Sequence, residues 1–185
     1  MSNVNNLRKM CPYLGHWERQ ECKMTKGGLY IPMPEHIEIF CQTRKFVECH
    51  QYIRGSELLK ETAQKYGFIL DGSRRRYRRV PDRLTVSLAV CDESGTPKEI
   101  LDENAHTINI SLGGMRIDSS SDIAGRGLIA FEFGSDFIMP ILEGVGEIKW
   151  TTEIKGNGGR GFHAGVAFLD SRISHAIGAH MGLPM

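Results

Sequence analysis

Residues 84–90 read Leu, Thr, Val, Ser, Leu, Ala, Val, so that every second position is apolar. A period of two places Leu84, Val86, Leu88 and Val90 on one face of a half-buried strand, whereas an amphipathic helix needs spacings of three and four. The same texture continues: further strands are expected at 100–101, 106–110, 114–118, 128–133, 144–152 and 162–169, separated by clusters of Gly, Ser, Asp and Pro. So many short strands in so little chain must bury one face each and leave few open edges. A small antiparallel barrel does both.

The ends read differently. Residues 171–182 carry Ile173, Ile177 and Met181 at helical spacing behind Ser171 as an expected cap, which predicts a helix closing one end of the barrel. Residues 56–70 also read as helical, with Ser56 as N-cap, Leu58, Leu59, Ala63 and Tyr66 as the apolar positions, and Gly67 as the stop. The glycine-rich stretch 155–161 has no Walker lysine followed by Ser or Thr and no strand feeding a helix, so it is a hairpin turn and no phosphate loop. The expected organisation is a cysteine-rich module at 1–55, a helix and linker at 56–73, and a β-barrel domain at 74–185.

Residues 1–55 hold four of the five cysteines, with His16, His36 and His50, in a segment poor in core-forming residues. No apolar run is long enough to span a membrane, and the polar start at residues 1–9 lacks the apolar core of a signal peptide, so a cytoplasmic location without membrane insertion is expected. In that reducing compartment, thiols are read as free or metal-bound. Cys11, Cys22, Cys41 and Cys49 could close a tetrahedral zinc site or hold an iron-sulfur cluster; the alternative is a set of independent buried thiols, since no CxxC pair is present. Cys91 is expected to be a packed or turn thiol.

Two segments carry the chemistry. Arg74, Arg75, Arg76, Arg78 and Arg79 surround Tyr77 just ahead of Val80 and Pro81, where the proline biases the backbone before it toward extended geometry. With a net charge of only +1, this cluster is a local feature of a near-neutral protein. A guanidinium is a rigid planar fork that meets phosphate oxygens bidentately and also matches the O6 and N7 acceptors of guanine. About thirty residues later comes Asn109, Ile110, Ser111, Leu112, Gly113, Gly114, which offers an amide, a hydroxyl and two positions without Cβ at a strand-to-strand turn. Together they describe a site for a compact, purine-bearing anion.

An RxxxR element ahead of the first strand, followed by NxSxxG at a turn, resembles the PilZ domain family, whose members bind the bacterial second messenger cyclic di-GMP. Arg75 and Arg79 give the frame that precedes Val80 and Pro81 as in that family, and the frame from Arg74 to Arg78 also fits. The likeness extends to about residue 175 through Gly146, Glu147, Ile148, Lys149, Trp150 and the run 161–168. It implies a mainly β fold, a six-stranded antiparallel barrel with a C-terminal helix. It further implies that Arg75 and Arg79 hold guanine and phosphate with Arg76 as a further contact, and that Asn109, Ser111, Gly113 and Gly114 receive the other edge of the ligand. Trp150 is then a stacking wall or a barrel-core residue. Asn109 stands where aspartate is commoner in the family, exchanging a charged acceptor for a neutral one.

Nothing in the sequence argues for turnover: there is no HExxH, GxSxG or Walker element, and His106 and His163 are expected to be structural. The expected role is a receptor that relays the bound state by reorienting the cysteine module toward a downstream protein partner that the sequence does not specify. The alternative is a metal-containing nucleic-acid-binding or protein-docking module in which the arginines contact phosphates.

Overall fold

The computed structural model describes residues 11, 14, 22, 32–92, 95–123, 125, 127–137, 143–156 and 159–183. Seven strands follow one another: β1 (Val80–Pro81), β2 (Thr85–Cys91), β3 (Pro97–Ser111), β4 (Gly114–Ser119), β5 (Leu128–Phe133), β6 (Glu143–Gly156) and β7 (Gly159–Phe168). All pairings are antiparallel. The order β3-β2-β5-β6-β7-β4 returns on itself because β4 pairs with β3, so six strands close a barrel and the two-residue β1 adds to β3 at Val80↔Ile110 and Pro81↔Asn109.

The barrel interior is the face that the alternation marked. Leu84, Val86 and Leu88 are buried with Ile110, Met115, Ile117, Ile129, Phe131, Phe133 and Val166. Val90 is only half-buried, because β2 is leaving the core there. The two strands expected at 100–101 and 106–110 are one long strand: β3 runs unbroken because its first half pairs with β2 and its second half with β4, a continuity that local alternation does not reveal. The hairpin expected at 155–161 is β6 and β7 continuing to Gly156 and Gly159; residues 157–158 lie outside the described ones.

Two longer helices flank the barrel, α1 (His50–Lys65) and α2 (Ser171–His180). The cap of α2 is Asp170, one residue earlier than expected, whose carboxylate accepts the Arg172 amide hydrogen. An ionised cap also suits the positive end of the helix. Ile173 and Ile177 point into the barrel core as the spacing predicted.

The start of α1 departs from expectation by two turns. Ser56 lies inside the helix, where its hydroxyl donates back to the Tyr52 carbonyl at 2.9 Å, and the N-cap is Cys49. A serine that satisfies itself on the preceding turn looks in sequence like a cap. The helix does end as read: Gly67 takes φ +69°, a conformation that glycine adopts without strain. Ahead of α1, a short turn at Pro34–His36, a π-helical turn at Ile37–Cys41 and a 3₁₀ turn at Arg44–Glu48 fold over a second, smaller core. That core contains Cys11, Ile37, Cys41, Phe46, Cys49 and Tyr52.

The smaller core is attached to α2. The Tyr52 ring stacks on His175 with centroids 5.5 Å apart, the Arg172 guanidinium lies 5.8 Å over Phe46, and Leu59 of α1 fits where Gly178 of α2 has no side chain. Among the described residues no helix is long and apolar enough to cross a membrane.

Candidate functional site

After Gly67 the chain makes a tight reversal. The Leu70 amide donates to the Arg76 carbonyl at 2.9 Å and the Arg78 amide to the Phe68 carbonyl at 2.8 Å, so the arginine segment is an antiparallel partner of the residues that follow α1. Gly72, at φ +70°, makes the turn possible. Alternation along this extended segment sends Tyr77 inward and leaves the guanidinium groups exposed.

The Tyr77 ring rests on the turn between β3 and β4. A Cβ on Gly113 would lie 2.4 Å from Tyr77 Cδ2, so glycine is what lets the ring lie flat there. Ser111 Oγ closes the turn by donating to the Gly114 carbonyl at 3.0 Å. Gly114 is required for a different reason, since a Cβ would come within 2.2 Å of the Val166 carbonyl on β7. Two of the three spaced residues of the NxSxxG element therefore shape the backbone.

The opposite side of the cleft comes from β6 and β7. A register shift between Ile148 and Trp150 inserts Lys149 as a bulge, and bulges re-aim side chains. The Trp150 indole consequently lies across Gly165, where a Cβ would meet Nε1 at 2.1 Å. The Arg116 guanidinium lies over the same ring, 5.7 Å from its centroid.

These parts enclose a cleft of about 210 Å³, lined by Arg75, Arg76, Tyr77, Arg79, the turn Ser111, Gly113, Gly114, and Lys149 with Trp150. Seven of the eight ligand residues expected from the sequence line it. Asn109 does not; its Oδ1 is buried without a hydrogen-bond partner among the described residues, two positions before Ser111 on β3. Four lining residues are cationic and none is a carboxylate. Lys149 pairs with Glu147 at 2.5 Å and Arg76 stacks 5.4 Å over Tyr77, while Arg75 and Arg79 have no ion pair among the described residues. An anion entering here meets two uncommitted guanidinium forks.

The fold is that of a known family: the PilZ domain model matches residues 73–180, from the foot of the arginine segment to the last residue of α2. The chain belongs to the PilZ family. The chain resembles three solved structures. One is that of the Borreliella burgdorferi PlzA protein in complex with c-di-GMP, at 13% identity and TM-score 0.42, covering 69% of this chain and 56% of that one. The Bacillus subtilis inhibitor of motility, MotI/DgrA, stands at 14% and 0.37, with 57% and 48% covered. The PilZ domain of CeSA from a cellulose-synthesizing bacterium stands at 20% and 0.33, with 57% and 97% covered. The chain thus spans about half the length of the first two. None of the curated proteins matches it.

Sequence reasoning missed Tyr77, Lys149 and Arg116. Tyr77 is embedded in the arginine run and was overshadowed by it, though an aromatic at the inward position of an alternating segment is the signal that could have found it. Lys149 reaches the cleft through a bulge, which no spacing rule anticipates. Arg116 lies outside the cleft lining, with its guanidinium beside the Trp150 ring.

The four thiols of the N-terminal segment do not come together as the expected four-ligand set. Among the described residues, no three His, Cys, Asp or Glu side chains are grouped to hold a metal ion. Instead, Cys11 and Cys41 share a thiol hydrogen bond, which lowers the Cys41 pKa against the opposing effect of burial, and Cys49 Sγ lies 3.5 Å from His36 Nε2. Cys11, Cys41 and Cys49 are buried beside Ile37, Phe46 and Tyr52, so apolar packing supplies the cohesion that a metal was expected to provide. Cys22 is half-buried and bridges Leu14. Cys91 is half-buried at the end of β2.

Proposed function

We propose that this PilZ protein is a cytoplasmic, non-enzymatic receptor for cyclic di-GMP, and that the cleft between the arginine arm and the Trp150 wall is where the ligand binds. The observation that carries this reading is the convergence of Arg75, Arg76 and Arg79 on a cleft with an aromatic ring on each side and no carboxylate. Guanidinium forks suit both halves of a guanine nucleotide, the phosphate and the O6/N7 edge. Ring faces suit its bases. The cleft is smaller than the ~300 Å³ at which enclosed ligand pockets begin. It therefore takes one base and its phosphate, with the exposed arm folding over the remainder.

The arm also explains how the bound state leaves the site. It is hydrogen-bonded to residues 68–70, directly after α1, and α1 carries Tyr52, which is stacked on His175 of α2. A ligand that draws Arg75 and Arg79 onto the barrel pulls on the end of α1 and so on the cysteine-containing core, which presents the signal to a downstream protein. In place of the expected zinc or iron-sulfur site on Cys11, Cys22, Cys41 and Cys49, the proposal keeps a thiol-lined apolar core in the N-terminal part. Elemental analysis decides it: stoichiometric metal lost on Cys→Ser substitution assigns the ligands, and none leaves a thiol-lined apolar core.

Calorimetric titration tests the ligand. Cyclic di-GMP should bind at micromolar protein, with cyclic di-AMP at least tenfold weaker because adenine offers a donor where guanine has O6. Equal affinity for both, or no heat with either, would reject the reading. A nucleic-acid role would instead give affinity falling steeply with salt, one unit of slope per phosphate contact.

A further inference from the structure

Behind the cleft, four side-chain positions form a single row across four strands. Asn109 of β3 pairs with Arg116 of β4, Arg116 with Gly165 of β7, and Gly165 with Trp150 of β6. Both ends of the row are set by register shifts, between Thr107 and Asn109 on β3 and between Ile148 and Trp150 on β6. A bulge at each end is a costly way to align four residues unless the alignment matters.

The alignment makes one contact possible. Gly165 leaves the middle of the row empty, so the indole can lean across β7 and reach the Arg116 guanidinium. The indole has no hydrogen bond among the described residues, so its orientation rests on packing, in which this cation–ring contact and the glycine floor take part. The guanidinium is itself fixed from the side: Nη2 donates to His163 Nδ1 at 2.7 Å. For Nδ1 to accept, the His163 proton must be on Nε2, and Nε2 lies 3.5 Å from Asp118 Oδ1. A chain Asp118–His163–Arg116–Trp150 therefore runs from the flank of the barrel to the cleft wall. Two further polar atoms of the row, Arg116 Nε and Asn109 Oδ1, are a buried donor and a buried acceptor on register partners, each without a partner among the described residues.

We propose that Arg116 is a positioning residue for the ligand site: it holds the Trp150 indole over Gly165 in the orientation that a ligand base stacks upon, with His163 fixing its guanidinium plane. This rests on the proposed ligand reading for its consequence, but its first step concerns the ligand-free protein. Only arginine fits the role. A planar guanidinium presents a face to the ring while its edge donates sideways, whereas an ammonium is a point charge without a plane.

The test uses the full chain with Trp17→Phe, which makes Trp150 the sole tryptophan. In Arg116→Met, collisional quenching of Trp150 by acrylamide should rise and its emission shift to the red before any ligand is added. Cyclic di-GMP affinity should then fall about 2- to 30-fold, the range for losing one cation–ring contact. Arg116→Lys should recover little of either. His163→Phe removes the acceptor while leaving Arg116, and should move both readouts the same way by less; it decides the matter if Arg116→Met does not fold. Unchanged quenching in folded Arg116→Met overturns the positioning role. Changed quenching with unchanged affinity overturns its link to the ligand. If the parent chain binds no cyclic di-GMP, the ligand reading fails while the quenching comparison still decides what Arg116 does.

Discussion

Replacing Gly165 by alanine perturbs the cleft through one carbon atom. The new Cβ would be 2.1 Å from the indole nitrogen and 2.5 Å from Cε2, against the ~3.5 Å at which such atoms rest. The indole must therefore move by more than an ångström. Trp150 is half-buried on the outer face of the barrel, so it can swing toward solvent, and the cost to the fold should stay below the ~1–3 kcal/mol of overpacking a closed core. The cost to binding is larger: stacking on an aromatic is worth ~1–3 kcal/mol per base, so affinity for cyclic di-GMP should fall about 5- to 150-fold. Isothermal titration of Gly165→Ala, Trp150→Ala and the double variant separates this mechanism from general damage. If the glycine acts through the indole, it loses its effect once the indole is gone, and the coupling energy equals the single-variant loss. The reasoning is refuted if Gly165→Ala binds normally, or if it weakens binding as much in the Trp150→Ala background as in the parent.

Other outcomes follow from the same geometry. Arg75→Ala and Arg79→Ala should each weaken ligand binding about 10- to 100-fold, the worth of a charge-assisted hydrogen bond, with melting temperature unchanged because both side chains are exposed. Gly114→Ala should cost stability, since the Cβ meets the Val166 carbonyl at 2.2 Å and backbone cannot step aside; calorimetric unfolding should show a loss of ~2 kcal/mol or more. His175, buried against Tyr52, has its pKa pushed down to about 4 by burial, so the folded state resists protonation; stability is complete above the unfolded value of 6.5 and falls by up to ~3 kcal/mol as pH drops toward 4, a limb that His175→Gln should flatten. Glu143 has the opposite sign. Burial and the facing Glu132 raise its pKa to about 7, so stability falls as pH rises from 4.5 to 7, and Glu143→Gln should stabilise the protein at pH 8 by ~1 kcal/mol after allowance for its partial exposure to solvent.

The barrel was legible because its signal is local: alternation in β2, and turn residues between β4, β5, β6 and β7, state the fold one segment at a time. The single strand β3 was not, because its continuity depends on which neighbour each half meets. Ser56 shows the same limit on the helical side, a cap residue by type that satisfies itself one turn back. In the site, charge and glycine were visible as residue types, and Arg75, Arg76, Arg79, Ser111, Gly113 and Gly114 line one cleft. What sequence spacing could not state was that Gly113 seats Tyr77, that a bulge delivers Lys149, or that a residue on β4 reaches Trp150 across a glycine on β7. Those facts belong to register, which is fixed only when the barrel closes. The cysteines were overread for a related reason: four thiols among few apolar residues suggested a metal, whereas Ile37, Phe46 and Tyr52 supply a core that no periodicity announces.

The most direct measurement of the central claim is a crystal structure of the protein grown with cyclic di-GMP. The account predicts a guanine stacked on the Trp150 indole, a phosphate bridged by Arg75 and Arg79, and the arm drawn down over the Ser111–Gly114 turn. Ligand bound anywhere else on the barrel, or bound in this cleft with neither arginine touching it, would contradict the account.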